Sequence, residues 1–158
     1  MNINIICVGK IKEKFFTAAI EEYSKRLSRF AKLTVTEVAD EKIPENASDK
    51  ECEIVKDKEG KKILSKLGDN SFVVTLCIEG KEMPSEEFAK KIADISMTSS
   101  NITFIIGGSL GLSDEVKCKS QLRLSFGQMT LPHQLMRVVL LEQIYRAFKI
   151  NNNESYHK

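Results

Sequence analysis

The stretch "SFVVTLCIEGKEMPSEEFAKKIADISMTSSNITFII", Ser71 to Ile106, decides the fold. Two runs within it, "SFVVTLCI" (71–78) and "NITFII" (101–106), are apolar without alternation. Such strands are buried on both faces, as in a parallel sheet. Gly80 predicts the end of the first run. Ser85, followed by Glu86 and Glu87, has the chemistry of an N-cap with an acidic first turn, so a helix is expected between the strands. Strand, helix and buried strand form the crossover unit of an α/β domain.

The same alternation continues on both sides. Ile3 to Val8 is a short β-rich run ending at Gly9. From Lys12 to Phe30, apolar residues recur at Phe16, Ile20, Tyr23, Leu27 and Phe30, which is helical spacing. "KLTVTEV" (32–38) alternates with period two and predicts a strand with one wetter face. Asp40 to Ser48 is a polar loop, and 49–67 is a charged helix with Gly60 in its interior. After Ile106, Ser113 caps a short helix, "LRLSF" (122–126) is a last strand, and a long helix runs from about His133 to Phe148. One domain, 1–158, with a mostly parallel sheet flanked by helices, accounts for the whole pattern. In such sheets ligands bind beyond the carboxyl ends of the strands. That rule selects the turns after Ile78, Ile106 and Phe126.

Two of these turns have suggestive chemistry. "IIGGSLGLS" follows a strand and precedes a helix, but it has neither G-x-G-x-x-G spacing nor a closing Gly-Lys-Ser/Thr, so it does not support a pyrophosphate cradle. Its glycines fit a tight turn as well as a ligand contact. "FGQMTLPH" (126–133) combines Gly127 and Pro132 with the apolar Met129 and Leu131. Free main-chain groups between aliphatic walls suit a flat heteroaromatic such as adenine. His133, just inside a helix start, reads as a solvated or capping residue with a lowered pKa.

The final helix, "QLMRVVLLEQIYRAF", is apolar nearly all round and needs cover on more than one side. A homodimer and a fully internal helix both satisfy that requirement. Arg137 and Arg146 on this helix read either as salt-bridge partners of residues such as Glu142 or as RNA or interface contacts. Lys10, Lys12 and Lys14, with Lys25, Arg26 and Arg29, form either a solvated face or a phosphate-binding rim.

Composition limits the function classes. With 24 basic and 22 acidic residues, the net charge of +2 is too small for a strongly electrostatic nucleic-acid binder. The four cysteines (7, 52, 77 and 118) form no C-x-x-C pair, and with only two histidines they offer no metal cluster. No segment has the pattern of a signal peptide or the length of a membrane span. A reduced, cytoplasmic, metal-free protein with no membrane partner is expected. A phosphoacceptor domain would need acidic residues after the first strand, where Gly9 and Lys10 stand. A nucleotide- or flavin-binding protein and a non-catalytic ribosome-binding module remain as rivals on fold alone.

Taken together, "ICVGKIKEKF" (6–15), "FIIGGSLGL" (104–112), "MTLPHQLMRVVLLEQIYRAFKI" (129–150) and the terminal "YHK" (156–158) resemble the ribosomal RNA large subunit methyltransferase H family. These SPOUT-type enzymes methylate N3 of a pseudouridine in 23S rRNA with S-adenosylmethionine. The resemblance covers essentially the whole chain. It implies a C-terminal trefoil knot, an exception to the rule that chains are unknotted. It also implies a homodimer packed through that region, acting on rRNA in the ribosome's large subunit. The cofactor would touch Leu76, Gly107, Phe126, Gly127, Gln128, Met129, Thr130 and Leu131. His157 and Tyr156 would be catalytic, the former as base or proton relay and the latter against the target base. Arg137 and Lys158 would bind substrate. The tail "NNNESYHK" (151–158) is expected to be mobile when free and ordered over an active site when substrate or cofactor binds.

Overall fold

The computed structural model describes residues 1–158. In chain order the elements are β1 (Asn2–Val8), α1 (Lys14–Leu27), β2 (Lys32–Val38), α2 (Asp49–Leu64), β3 (Phe72–Lys81), α3 (Ser85–Ser96), β4 (Asn101–Ile106), α4 (Asp114–Cys118), β5 (Leu122–Leu124) and α5 (His133–Asn151). The five strands form one parallel sheet in the order β2-β1-β4-β3-β5. Residue alternation along each strand sends side chains to opposite faces. Ile3, Ile5 and Cys7 of β1, Val74 and Leu76 of β3, and Ile102, Phe104 and Ile106 of β4 join Leu27, Phe88, Ile92 and Leu140 in the larger core under α1, α3 and α5. Ile6, Val8, Val73 and Ile105 join Ile63 and Val116 in the smaller core under α2 and α4. No helix is long and apolar enough to cross a membrane.

The structure departs from the expected pattern at several points. β3 does not stop at Gly80 but runs on to Lys81, and both Leu76 and Lys81 pair with Leu124 across a bulge. A Cβ on Gly80 would lie 2.7–2.9 Å from the backbone of Arg123 and Leu124, so the glycine permits that crossing. Ser85 is not a cap. Pro84 holds the N-cap position, and Ser85 Oγ donates to Gln143 Oε1 of α5 at 2.8 Å. Ser48 and Glu51 form a full capping box at α2, and Ser113 caps α4 as expected. Gly60 has a packing reason, since a Cβ there would sit 2.4 Å from Ser113 Oγ.

Every residue of α5 from His133 to Ile150 is at least partly buried. Leu140, Leu141, Ile144 and Ala147 pack into the larger core. Further cover comes from within the chain. Phe30 stacks on Phe148 at 5.5 Å, and Tyr156 of the tail meets Tyr145 edge-on at 5.0 Å. The terminal residues, expected to be mobile, thus lie packed against α5. Asn153 turns the chain back at φ 53°, and Lys149 pairs with Glu154.

Candidate active site

Three strand ends on one edge of the sheet enclose a cavity of about 560 Å³. Leu76 and Cys77 of β3, Ile106 and Gly107 at the end of β4, and Leu124 at the end of β5 form its floor. The turn after β4 is pulled tight by a bond from Gly111 N to Gly108 O at 3.1 Å. A Cβ on Gly107 would lie 2.8 Å from the backbone of Gly111, so only glycine lets the turn close this far. On the other side, Ser125 Oγ donates to Ile78 O at 2.9 Å and accepts from Gly127 N at 3.1 Å. These bonds lock the turn after β5 to β3, and Gly127 supplies the positive φ of 117° that the turn needs.

Of the residues expected to hold the cofactor, Leu76, Gly107, Phe126, Gly127, Met129, Thr130 and Leu131 line this cavity. Gln128 is exposed and is not among the lining residues. Met129 is 87% exposed and Phe126 37%, an apolar wall open to water in the free chain. The N–H and C=O groups of Met129, Thr130 and Leu131 have no backbone partner. They remain available for a ligand with its own donors and acceptors. The donor set therefore fits an adenine-bearing cofactor: main-chain groups between aliphatic side chains, in a volume typical of small-molecule sites. Lys117, paired with Glu79, carries charge at the rim.

The lowered pKa expected of His133 is found, but its cause and its place in the site are not the expected ones. The residue is neither solvated nor a cap but part of the cavity wall, in the first turn of α5 after the N-cap Pro132. Its ring packs on the Cα of Gly9, where an added Cβ would come within 3.0 Å of Cε1. Its Nδ1 is buried without a partner. Burial lowers its pKa, and the nearby Arg137 and Lys12 cations lower it further, so the ring is held neutral. The available signal was its place directly after "MTLP", at the third strand-end turn.

Arg137 corrects an expectation. It is 1% exposed, and its guanidinium meets Glu37 Oε1 at 2.6 Å while donating to Gly9 O at 2.5 Å and Val8 O at 3.3 Å. Its partner is therefore Glu37 rather than Glu142. Buried in this way, it ties α5 to the ends of β1 and β2 and presents no charge to a substrate. Glu142 instead pairs with Arg146 at 2.7 Å.

Tyr156, His157 and Lys158 do not line the cavity of their own chain. Tyr156 lies under the Arg146 guanidinium, 4.7 Å from its carbon, and donates from its hydroxyl to Glu142 Oε1 at 3.2 Å. Burial, reinforced by the Glu142 charge, pushes its pKa up to about 12. His157 Nδ1 stands 3.2 Å from Arg146 Nη1, and its Nε2 stands 2.8 Å from Glu86 Oε1. A neutral ring protonated at Nε2 satisfies both contacts, because arginine only donates and a carboxylate only accepts. Glu86 is held below the usual carboxylate range by its own backbone N–H first and by His157 second.

Parallel strands whose carboxyl-end turns close over an apolar, glycine-edged cavity define an α/β enzyme of the cofactor-binding kind, and residues 1–157 match the family described as "Predicted SPOUT methyltransferase". Two proteins named "Ribosomal RNA large subunit methyltransferase H" are similar over the full length of both chains. One, from Clostridioides difficile (strain 630), is 59% identical, and the other, from Lactobacillus acidophilus, is 58% identical. The chain belongs to the ribosomal RNA large subunit methyltransferase H family of SPOUT methyltransferases. A solved structure described as a probable methylase family protein from Haemophilus influenzae Rd KW20 superposes with a TM-score of 0.56. It covers 99% of this chain and 70% of that one at 15% identity, a likeness of fold alone.

Proposed function

We propose that the chain transfers a methyl group from S-adenosylmethionine to N3 of a pseudouridine in 23S rRNA, acting as a homodimer on the large ribosomal subunit in the bacterial cytoplasm. The observation that carries this reading is the convergence of Leu76, Gly107 and the segment from Phe126 to Leu131 on one cavity. The free main-chain groups of Met129 to Leu131 hold the adenine, while Leu76, Ile106 and Leu131 exclude water. Gln128, whose side chain faces outward, contributes through its backbone. The bound sulfonium supplies an activated methyl group, leaving the protein to align the nucleophile and remove one proton.

The N3–H of pseudouridine is an imide that must lose its proton as the new bond forms. His157 receives that proton and Tyr156 stacks on the base, with Lys158 on a neighbouring phosphate or on the imide anion. Since these residues stand outside their own chain's cavity, the tail of one protomer completes the site of its partner. The partly buried Leu135, Val138 and Val139 of α5 supply apolar contact for that dimer, packed through a C-terminal trefoil knot. To accept a proton, His157 must leave at least one of its present contacts with Arg146 and Glu86.

The test is transfer from methyl-labelled S-adenosylmethionine to ribosomes, 50S subunits and naked rRNA from a strain lacking this gene. Incorporation is expected into at least one of them. It should fall by about 10² or more in His157→Ala, the usual loss on removing a general base. Equal rates in His157→Ala, Tyr156→Ala and wild type would refute the role of the tail.

A further inference from the structure

The turn between β1 and α1 lies beside the cavity and has no part in the reaction as described. It carries Lys10 and Lys12, and Lys14 opens α1 next to them; all three are exposed and none is in an ion pair. Five other lysines, Lys56, Lys62, Lys81, Lys117 and Lys149, each meet a carboxylate. Next to these free cations Phe15 is 66% exposed, its ring 4.5 Å from that of Phe16. A large aromatic surface left in water among unpaired lysines serves neither the core nor solubility. The turn is also fixed in place. Lys12 N donates to Gln134 Oε1 at 3.1 Å and Ile11 N to Glu37 Oε1 at 3.3 Å, while Gly9 packs on the His133 ring that walls the cavity.

We propose that Lys10, Lys12, Lys14 and Phe15 form the surface that holds the RNA next to the target nucleotide. The lysines take backbone phosphates and Phe15 stacks on an unpaired base. This inference rests on the reading of the chain as an rRNA methyltransferase and adds the recognition element that a single small domain needs. Unpaired nucleotides are recognised by such a combination, because every base has a face to stack on and every linkage a charge to neutralise. A second copy of the chain fits the surface poorly. A two-fold interface centred on the patch would set lysines against lysines at the axis.

Two variants test the proposal, Lys10→Gln/Lys12→Gln/Lys14→Gln together and Phe15→Ala. Lys50→Gln/Lys61→Gln/Lys66→Gln is the control with the same change in charge. KM for large subunits, co-sedimentation with them, S-adenosylmethionine affinity and oligomeric state are measured for each. The triple variant should raise KM by about tenfold and weaken co-sedimentation equally, with cofactor affinity within twofold of wild type. Each lost phosphate contact lowers the salt slope by about 0.7, so the slope should fall by roughly two. Phe15→Ala should raise KM several-fold and leave the slope unchanged. If both variants bind subunits as the control does, the inference is wrong. It is equally wrong if either variant instead changes the oligomeric state. A wild-type protein that binds subunits through these residues but transfers no methyl group would sink the reaction reading and leave the surface standing.

Discussion

Replacing Glu59 with glutamine isolates the cost of a carboxylate buried beneath the glycine-rich turn. Glu59 lies in α2, is 4% exposed, and its Oε2 has no hydrogen-bond partner. That oxygen would stand 2.9 Å from a Cβ on Gly108, so the carboxyl group packs directly against the turn. Burial, then the Asp40 charge, raises its pKa from 4.5 to about 7; Glu41's charge adds to this, while Lys62 and a backbone contact of Glu41 oppose it. Below 4.5 the group is protonated in both the folded and unfolded chain. Between 4.5 and 7 the unfolded chain releases the proton while the folded chain keeps it, so stability falls as pH rises; above 7 the penalty is constant. One pH unit corresponds to about 1.4 kcal/mol, which makes the full penalty roughly 3.5 kcal/mol. Glu59→Gln keeps the shape without the charge. Urea unfolding followed by circular dichroism, at one protein concentration, should show the variant gaining on wild type by about 2–3 kcal/mol between pH 5 and pH 8.5. Contributions from other titrating groups cancel in that difference. Parallel stability curves over the whole range would refute the assignment of a raised pKa to Glu59.

Gly107→Ala places a Cβ 2.8 Å from the Gly111 backbone, so calorimetry should show S-adenosylmethionine affinity reduced at least tenfold while Gly68→Ala, which meets nothing within 4 Å, binds normally. Arg137→Met removes the cation from Glu37 and leaves the Gly9 and Val8 carbonyls without their donor, and chemical unfolding should register a loss of about 3 kcal/mol. At subsaturating S-adenosylmethionine, mixing His157→Ala protomers with Gly107→Ala protomers should restore part of the methylation that each homodimer loses, because one site in the mixed dimer then combines an intact cavity with an intact partner tail. No recovery in a verified heterodimer would place the tail on its own subunit's site.

The strands were legible because burial on both faces leaves a mark that needs no knowledge of neighbours, and "FVVTLCI" and "NITFII" are apolar whichever way they point. The cavity was legible for a related reason: the turns after β4 and β5 follow from strand position and glycine chemistry, while β3 lends Leu76 to Glu79 from within the strand, not from a turn after Ile78. What stayed hidden depends on contacts between distant residues. Ser85 has the composition of a cap, but Gln143 of α5 claims its hydroxyl, and no local pattern announces that competition. Gly80 looks like a terminator until β5 is laid across it. Arg146 stands four residues from Glu142 and pairs with it as helix geometry allows, yet the fold brings Glu37 to Arg137 from 100 positions away. The same is true of His133, whose character is set by Gly9 beneath the ring. The tail's polar composition suggested mobility, and its edge-on aromatic contact with Tyr145 and hydrogen bonds to Glu142 and Glu86 are likewise long-range.

The proposed reaction is tested most directly by the chemical identity of its product. Large subunits from a strain lacking this gene are incubated with the purified protein and methyl-labelled S-adenosylmethionine, and the 23S rRNA is digested to nucleosides for mass spectrometry. A single labelled nucleoside is predicted: a pseudouridine carrying the methyl group on N3, at up to one per subunit. Label on a ribose, on another base or on another nitrogen of the pseudouridine would contradict the assignment, and so would no label at all in subunits that the protein demonstrably binds.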